Sequence, residues 1–184
     1  MAEKIMPMSN YHIIPEVISR LITLQPTSIL DIGTGWGTFG FLSREYSDIR
    51  WNRFKKEEWK VRIDGIEICE KYITDVHKLV YNNIYIGNCC NILKTLQQYE
   101  MILFIDVIEH MPHEVGLAMI EEIKKHCMHA IITTPLAFKR QVVDYNKYEK
   151  HITTFSIDEL LKYGEVTELD HKINLLEICE NTNI

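Results

Sequence analysis

Residues 29–37 read Ile-Leu-Asp-Ile-Gly-Thr-Gly-Trp-Gly, a short apolar run that ends in three alternating glycines, with Asp31 two residues before the first of them. Backbone of this kind can approach a ligand closely, because glycine adopts positive φ at little cost and carries no Cβ to hold a ligand away. A helix beginning near Thr38 aims its free N–H groups and the positive end of its dipole at the same spot. Gly35, Gly37 and Gly40 also satisfy the G-x-G-x-x-G spacing of dinucleotide sites, so the glycines alone leave a nicotinamide or flavin ligand open. Asp31 tilts the choice. A pyrophosphate loop disfavours a carboxylate near the strand end, whereas a ligand with a cationic end is suited by one.

The chain has 184 residues and is 46% hydrophobic, enough for one well-buried domain, and no linker, repeat or low-complexity tract divides it. A single domain over residues 1–184 is expected. The start has no apolar leader core, and no stretch is long and apolar enough to span a bilayer. Five cysteines, two of them adjacent at Cys89 and Cys90, suit reduced thiols better than a disulfide framework or a zinc knuckle. The expectation is a soluble cytoplasmic protein without membrane partners, its oligomeric state left open. A net charge of −6 gives no general attraction to nucleic acid. Residues 47–61 are the local exception: Arg50, Arg53, Lys55, Lys56 and Lys60, with Arg62 just beyond, interleave with Trp51, Phe54 and Trp59. That is the composition of a single-strand binding surface. Because the segment joins a helix to a strand, it is read instead as a solvated insertion whose aromatics pack on the domain edge, away from the ligand side.

Alternating apolar runs and helical patterns imply repeated βα units and a mostly parallel sheet. A leading amphipathic helix lies within residues 1–25, over 11–23, with Ile14, Val17, Ile18, Leu21 and Ile22 on one face. Strands are expected at 28–33, 61–68, 83–87, 101–107 and 130–134, and helices at 39–46 and 70–80, around residues 93–96, and after Pro112. Ser156 and Glu159 stand at capping-box spacing and open a helix over 156–162. The last two strands, 165–169 and 172–179, are too close in sequence to flank a helix and should pair as a hairpin. The fold class is therefore α/β, a Rossmann-like doubly wound seven-stranded sheet, mostly parallel with a C-terminal antiparallel hairpin. Ligands of such sheets bind outside the carboxyl ends of the strands.

Four blocks in this order resemble the class I S-adenosylmethionine-dependent methyltransferases, in particular the small-molecule and ubiquinone-type branch. They are Ile-Leu-Asp-Ile-Gly-Thr-Gly-Trp-Gly, Asp-Gly-Ile-Glu-Ile at 64–68, Phe-Ile-Asp-Val-Ile-Glu-His-Met at 104–111, and Ile-Thr-Thr-Pro followed by His151 and Phe-Ser-Ile-Asp-Glu-Leu. The resemblance implies an enzyme with S-adenosylmethionine as cofactor and a small-molecule acceptor methylated at oxygen or nitrogen. Gly33, Gly35 and Gly37 would admit the methionine portion, with Asp31 orienting its amino end. Glu67, with Ile68 beside it, would accept both ribose hydroxyls, a bidentate carboxylate suiting a vicinal diol. Asn88 stands where the family usually has an aspartate on the adenine amino group, and Asp106 would face the cleft from the end of its strand.

Glu109, His110 and His151 form the candidate catalytic cluster. Three readings are open: a general base for the acceptor proton, a divalent-metal site in which Asp106 joins these residues, and helix capping without chemistry. No metal is expected. Residues 136–155, with Tyr145 and Tyr148, and the leading helix with Met8 and Tyr11 nearby, are the candidate cover. His126, His129 and His171 read as surface or strand-end residues, and His12, His77 and His113 are given no role. The alternatives are a metal-assisted RNA 2′-O-methyltransferase, a non-catalytic S-adenosylmethionine-binding protein and an NAD-dependent oxidoreductase.

Overall fold

The apolar runs become β1 (Ser28–Ile32), β2 (Arg62–Glu67), β3 (Asn83–Ile86), β4 (Tyr99–Ile105), β5 (Cys127–Pro135), β6 (Glu165–Leu169) and β7 (Ile173–Cys179). The computed structural model describes residues 9–137, 146–169 and 173–179. Among the described residues these strands form one sheet in the order β3-β2-β1-β4-β5-β7-β6. The first five are parallel, and β7 runs antiparallel to both β5 and β6. The expected doubly wound sheet with its C-terminal hairpin is the one observed.

The helices are α1 (Ile14–Leu24), α2 (Thr38–Ser47), α3 (Asp75–Val80), α4 (Cys89–Ile92), α5 (His113–His126) and α6 (Ile157–Leu160). Side chains along β4 divide by the two-residue period of a strand. Ile102 and Phe104 enter one core layer with Met119, Ile120 and Ile123 of α5. Met101, Leu103 and Ile105 enter the other, with Val17 and Leu21 of α1 and Phe39 of α2. A central strand covered on both faces has no polar side, which is why its sequence is apolar from Met101 to Ile105. At the sheet edge, β6 instead turns Glu165 and Glu168 to solvent, charges that discourage pairing with another chain.

Some local boundaries differ from the sequence expectation. The helix expected over 70–80 is broken: a 3-10 turn at Glu70–Tyr72 is followed by extended backbone, and α3 starts only after Thr74. Thr74 and His77 form a reciprocal cap that fixes this start. The helix expected over 156–162 shrinks to α6, although its predicted cap is present, with Ser156 N–H donating to Glu159 at 2.9 Å. β4 ends two residues early because Asp106 adopts a left-handed φ of 52°.

The insertion lies on the expected side, between α2 and β2, but its aromatics do not all pack. Trp59 covers the Arg44 guanidinium at 3.7 Å, whereas Trp51 and Phe54 are 53% and 65% exposed. The reason is that the segment is held by charge rather than by apolar contact. Arg44 is buried in α2 and pairs with buried Asp48 while donating to the carbonyls of Val80 and Val61. Asp48 in turn accepts from Arg53 at 2.6 Å and from the Lys60 N–H at 2.9 Å.

Removing one member of a buried ion pair leaves an uncompensated charge. Arg44→Leu should therefore cost about 3 kcal/mol, seen as a lower urea midpoint at unchanged m-value. A loss below about 0.5 kcal/mol, the size of an ordinary surface substitution, would show that the insertion is anchored elsewhere.

Candidate functional site

The crossovers leave β1 and β4 in opposite directions, and a cavity of about 780 Å³ opens at their carboxyl ends. The glycine loop forms its floor. Gly33 takes φ 81°, and a Cβ there would collide with Val107 of the loop after β4, so conformation and space both require glycine. Gly35, with φ 51°, also lines the cavity, as do Ile68, Asn88 and Asp106. Asp31 and Gly37 are not on the wall.

Asp31 is 2% exposed and accepts a 2.5 Å hydrogen bond from the Tyr81 hydroxyl, behind the loop. Burial raises its pKa to about 7, against the opposing pull of that hydrogen bond. Glu67 ends β2 and reaches across to β1. One of its oxygens accepts from the Gly35 N–H at 2.9 Å and the other from the Cys69 N–H at 2.8 Å. Burial pushes its carboxyl above the usual carboxylate range, and the two amides hold it back down. Asn88 caps α4 by accepting the Cys90 N–H at 2.9 Å while also facing the cavity.

The Glu109 carbonyl brings the catalytic candidates together. It accepts from the N–H groups of Ile152 at 2.9 Å and Thr153 at 3.3 Å, which pins the later segment to the turn after β4. The rings of His110 and His151 then meet edge to face, centroids 4.8 Å apart. Glu109, His110 and His151 each offer one ligand atom, all within 4.8 Å of one another. Burial is the main cause at each group: it raises Glu109 well above the usual range, with Asp106 adding to the shift, and it lowers both histidines. Burial therefore favours the uncharged form of all three groups.

Two latches close over the cavity. Asp106 accepts the Asn10 N–H at 3.0 Å and the Thr133 hydroxyl at 2.7 Å, which draws Ser9 and Asn10 to the rim. Asn146 donates to the Tyr72 hydroxyl at 2.7 Å, joining the loop after β2 to the segment that carries Tyr148 and Glu149 into the cavity wall. Of the expected cover, Tyr11 is 70% exposed and lies away from the wall; Met8 and all of 138–145, Tyr145 included, lie outside the described residues, as does His171. Sequence reasoning missed Thr34, Tyr72, His77, Tyr81 and Asn146. Thr74 and His77 stand at capping-box spacing, the one local signal that could have marked a buried histidine.

No protein-family profile matches the chain, and no curated protein sequence does. Solved structures share its fold. TehB from Haemophilus influenzae superposes with a TM-score of 0.61 at 14% identity, over 91% of this chain and 62% of that one. The magnesium protoporphyrin IX methyltransferase of Synechocystis, with bound S-adenosylhomocysteine, gives 0.61 at 13% identity, over 89% of this chain and 80% of that one. The N-terminal domain of EvdMO1, in the presence of S-adenosylhomocysteine and D-fucose, gives 0.62 at 11% identity, over 92% and 82%. The chain spans less than two thirds of the length of TehB. At these identities the likeness is one of fold, the fold of class I methyltransferases.

Asp31 generates a pH test. Its folded pKa, about 7, lies above the unfolded value of 3.8, so its stabilising contribution is complete below the unfolded value and lost as pH rises through about 7. Asp31→Asn does not titrate. The stability advantage of wild type over Asp31→Asn should shrink between about pH 4 and pH 7.5, as measured by urea denaturation; a gap that stays constant across that window would contradict the burial assigned to Asp31.

Proposed function

We propose that this chain is an S-adenosylmethionine-dependent methyltransferase, one domain over residues 1–184, that transfers a methyl group to oxygen or nitrogen of a small acceptor. The observation that carries the reading is Glu67. A carboxylate at the end of β2, already oriented by two backbone amides, faces a cavity whose floor is the glycine loop. The donor set fits the cofactor. Gly33 and Gly35 leave room for its amino-acid tail, Glu67 and Ile68 stand where its ribose and adenine would lie, and Asn88 and Asp106 complete the wall. Asp31, bonded to Tyr81, supports the loop from behind. Similarity of fold to proteins crystallised with S-adenosylhomocysteine supports the same cofactor.

When bound, the cofactor supplies a methyl carbon made electrophilic by its sulfonium. The chain's own task is then alignment, exclusion of water and removal of one proton, and alignment alone is a large contributor to such displacements. The Asn10 and Asn146 latches close the cavity and leave space for a small acceptor. His110 and His151, held neutral by burial, are able to accept the acceptor's proton at a ring nitrogen. Burial favours the uncharged form of Glu109 beside them.

One observation favours a second reading of the same cluster. Glu109 Oε2 and His110 Nδ1 are buried without a hydrogen-bond partner among the described residues, and they converge with His151 in a set able to hold a divalent cation. Titration of chelator-treated protein with Mn²⁺ or Zn²⁺ separates the two readings: saturable binding abolished by His110→Ala supports the metal, and none supports the base.

The cofactor itself is tested by calorimetry with S-adenosylmethionine, S-adenosylhomocysteine and NADH. The expected result is saturable binding of the first two, weakened at least about tenfold in a folded Glu67→Ala variant, consistent with loss of hydrogen bonds to a charged group. A well-folded wild type that binds neither, or that prefers NADH, would overturn the reading.

A further inference from the structure

A buried hydrogen-bond chain runs beneath the glycine loop and ends on the carboxylate assigned to the ribose. His77, in α3, is 0% exposed, and its Nδ1 lies 3.2 Å from the Thr74 N–H. A backbone amide only donates, so Nδ1 must accept and the neutral ring carries its proton on Nε2. Burial lowers the pKa of His77, with a smaller opposing effect from the Gly35 backbone, and so favours that neutral ring.

Nε2 lies 3.1 Å from the Thr34 hydroxyl. Since Thr34 receives that proton, its own hydrogen turns to the acceptor on its other side, Glu67 Oε2, at 3.4 Å. The Thr74 N–H, the one donor that cannot reverse, sets the direction of the chain through His77 and Thr34 to Glu67, and the Thr74 hydroxyl, also 3.2 Å from Nδ1, donates in the same sense. Gly35 donates to the same oxygen, so the loop grips Oε2 from two directions while Oε1 is held by Cys69.

We propose that Thr34 and His77 are positioning residues for cofactor binding: their neutral relay fixes the rotamer of Glu67 so that the carboxylate presents its remaining lone pairs to the ribose hydroxyls. The inference rests on the reading of Glu67 as the ribose acceptor. A neutral relay suits the task, because it orients Glu67 through dipoles without adding a cation that would compete with the ribose for the carboxylate. It also accounts for a histidine buried in the turn that packs under Gly37, where an apolar side chain would otherwise fill the space.

The test is calorimetric binding of S-adenosylhomocysteine and of its 2′,3′-dideoxy analogue to wild type, Thr34→Val, Thr34→Ser and His77→Gln, with melting curves to establish folding. Thr34→Val and Thr34→Ser are also made in a Glu67→Gln background. Thr34→Val keeps the shape and removes the hydroxyl. It should weaken S-adenosylhomocysteine about five- to tenfold, the scale of one hydrogen bond to a charged group, and weaken the 2′,3′-dideoxy analogue by less than about twofold.

Thr34→Ser should restore binding, and His77→Gln, which keeps an N–H donor, should lie between wild type and Thr34→Val. With Glu67→Gln in place, Thr34→Val should have no further effect. Equal weakening of both ligands, or an effect that adds to that of Glu67→Gln, would assign Thr34 a merely structural role and overturn the relay. Unchanged S-adenosylhomocysteine binding in Thr34→Val would also overturn the relay, leaving the cofactor reading intact. Wild-type protein that binds neither ligand would overturn both.

Discussion

The structure depends on a carboxylate that cannot be left alone. Glu67 is 4% exposed at the end of β2, where an unpaired charge would be costly. Its two oxygens take the amides of Gly35 and Cys69, and in doing so they tie together the two loops that face each other across the cavity. The glycines on one side permit this approach. The turn at Cys69 supplies the second amide because β2 stops there and the chain bends. One ionisable side chain thus sets the shape of the floor.

Three acids with raised pKa values stand along the strand ends, and each is managed differently. Asp31 accepts a hydrogen bond from a tyrosine behind the loop, Glu67 is held by amides, and burial next to Asp106 favours the uncharged form of Glu109. The result is a graded site, with acceptor capacity concentrated at Glu67 and neutral imidazoles at the far end. Asp106 adds a mechanical role, since its left-handed backbone ends β4 and turns its carboxylate to hold the Asn10 segment over the opening.

Much of this was legible in the sequence because it is encoded locally. Alternation and apolar runs placed every strand, the short spacing between the last two implied a hairpin, and Ser156 with Glu159 marked a helix start. The cavity-lining places of Gly33, Gly35, Glu67, Asn88 and Asp106 followed from their positions at strand ends. What was not legible depends on pairs distant in sequence. Asp31 looked like a ligand-facing acid until Tyr81, fifty residues later, took its proton-accepting oxygen. His77 offered only its capping-box spacing from Thr74, because its meaning lies in Thr34 across the loop. The insertion seemed to need apolar anchoring, whereas a buried Arg44–Asp48 pair holds it and leaves Trp51 and Phe54 in solvent.

The most direct measurement of the central claim is a crystal structure with S-adenosylhomocysteine bound. Both ribose hydroxyls should lie about 2.6–3.2 Å from the Glu67 oxygens, with the amino-acid tail along Gly33 and Gly35 and the sulfur directed toward His110 and His151. A ligand seated elsewhere in the cavity, with Glu67 still bonded only to the amides of Gly35 and Cys69, would contradict the account.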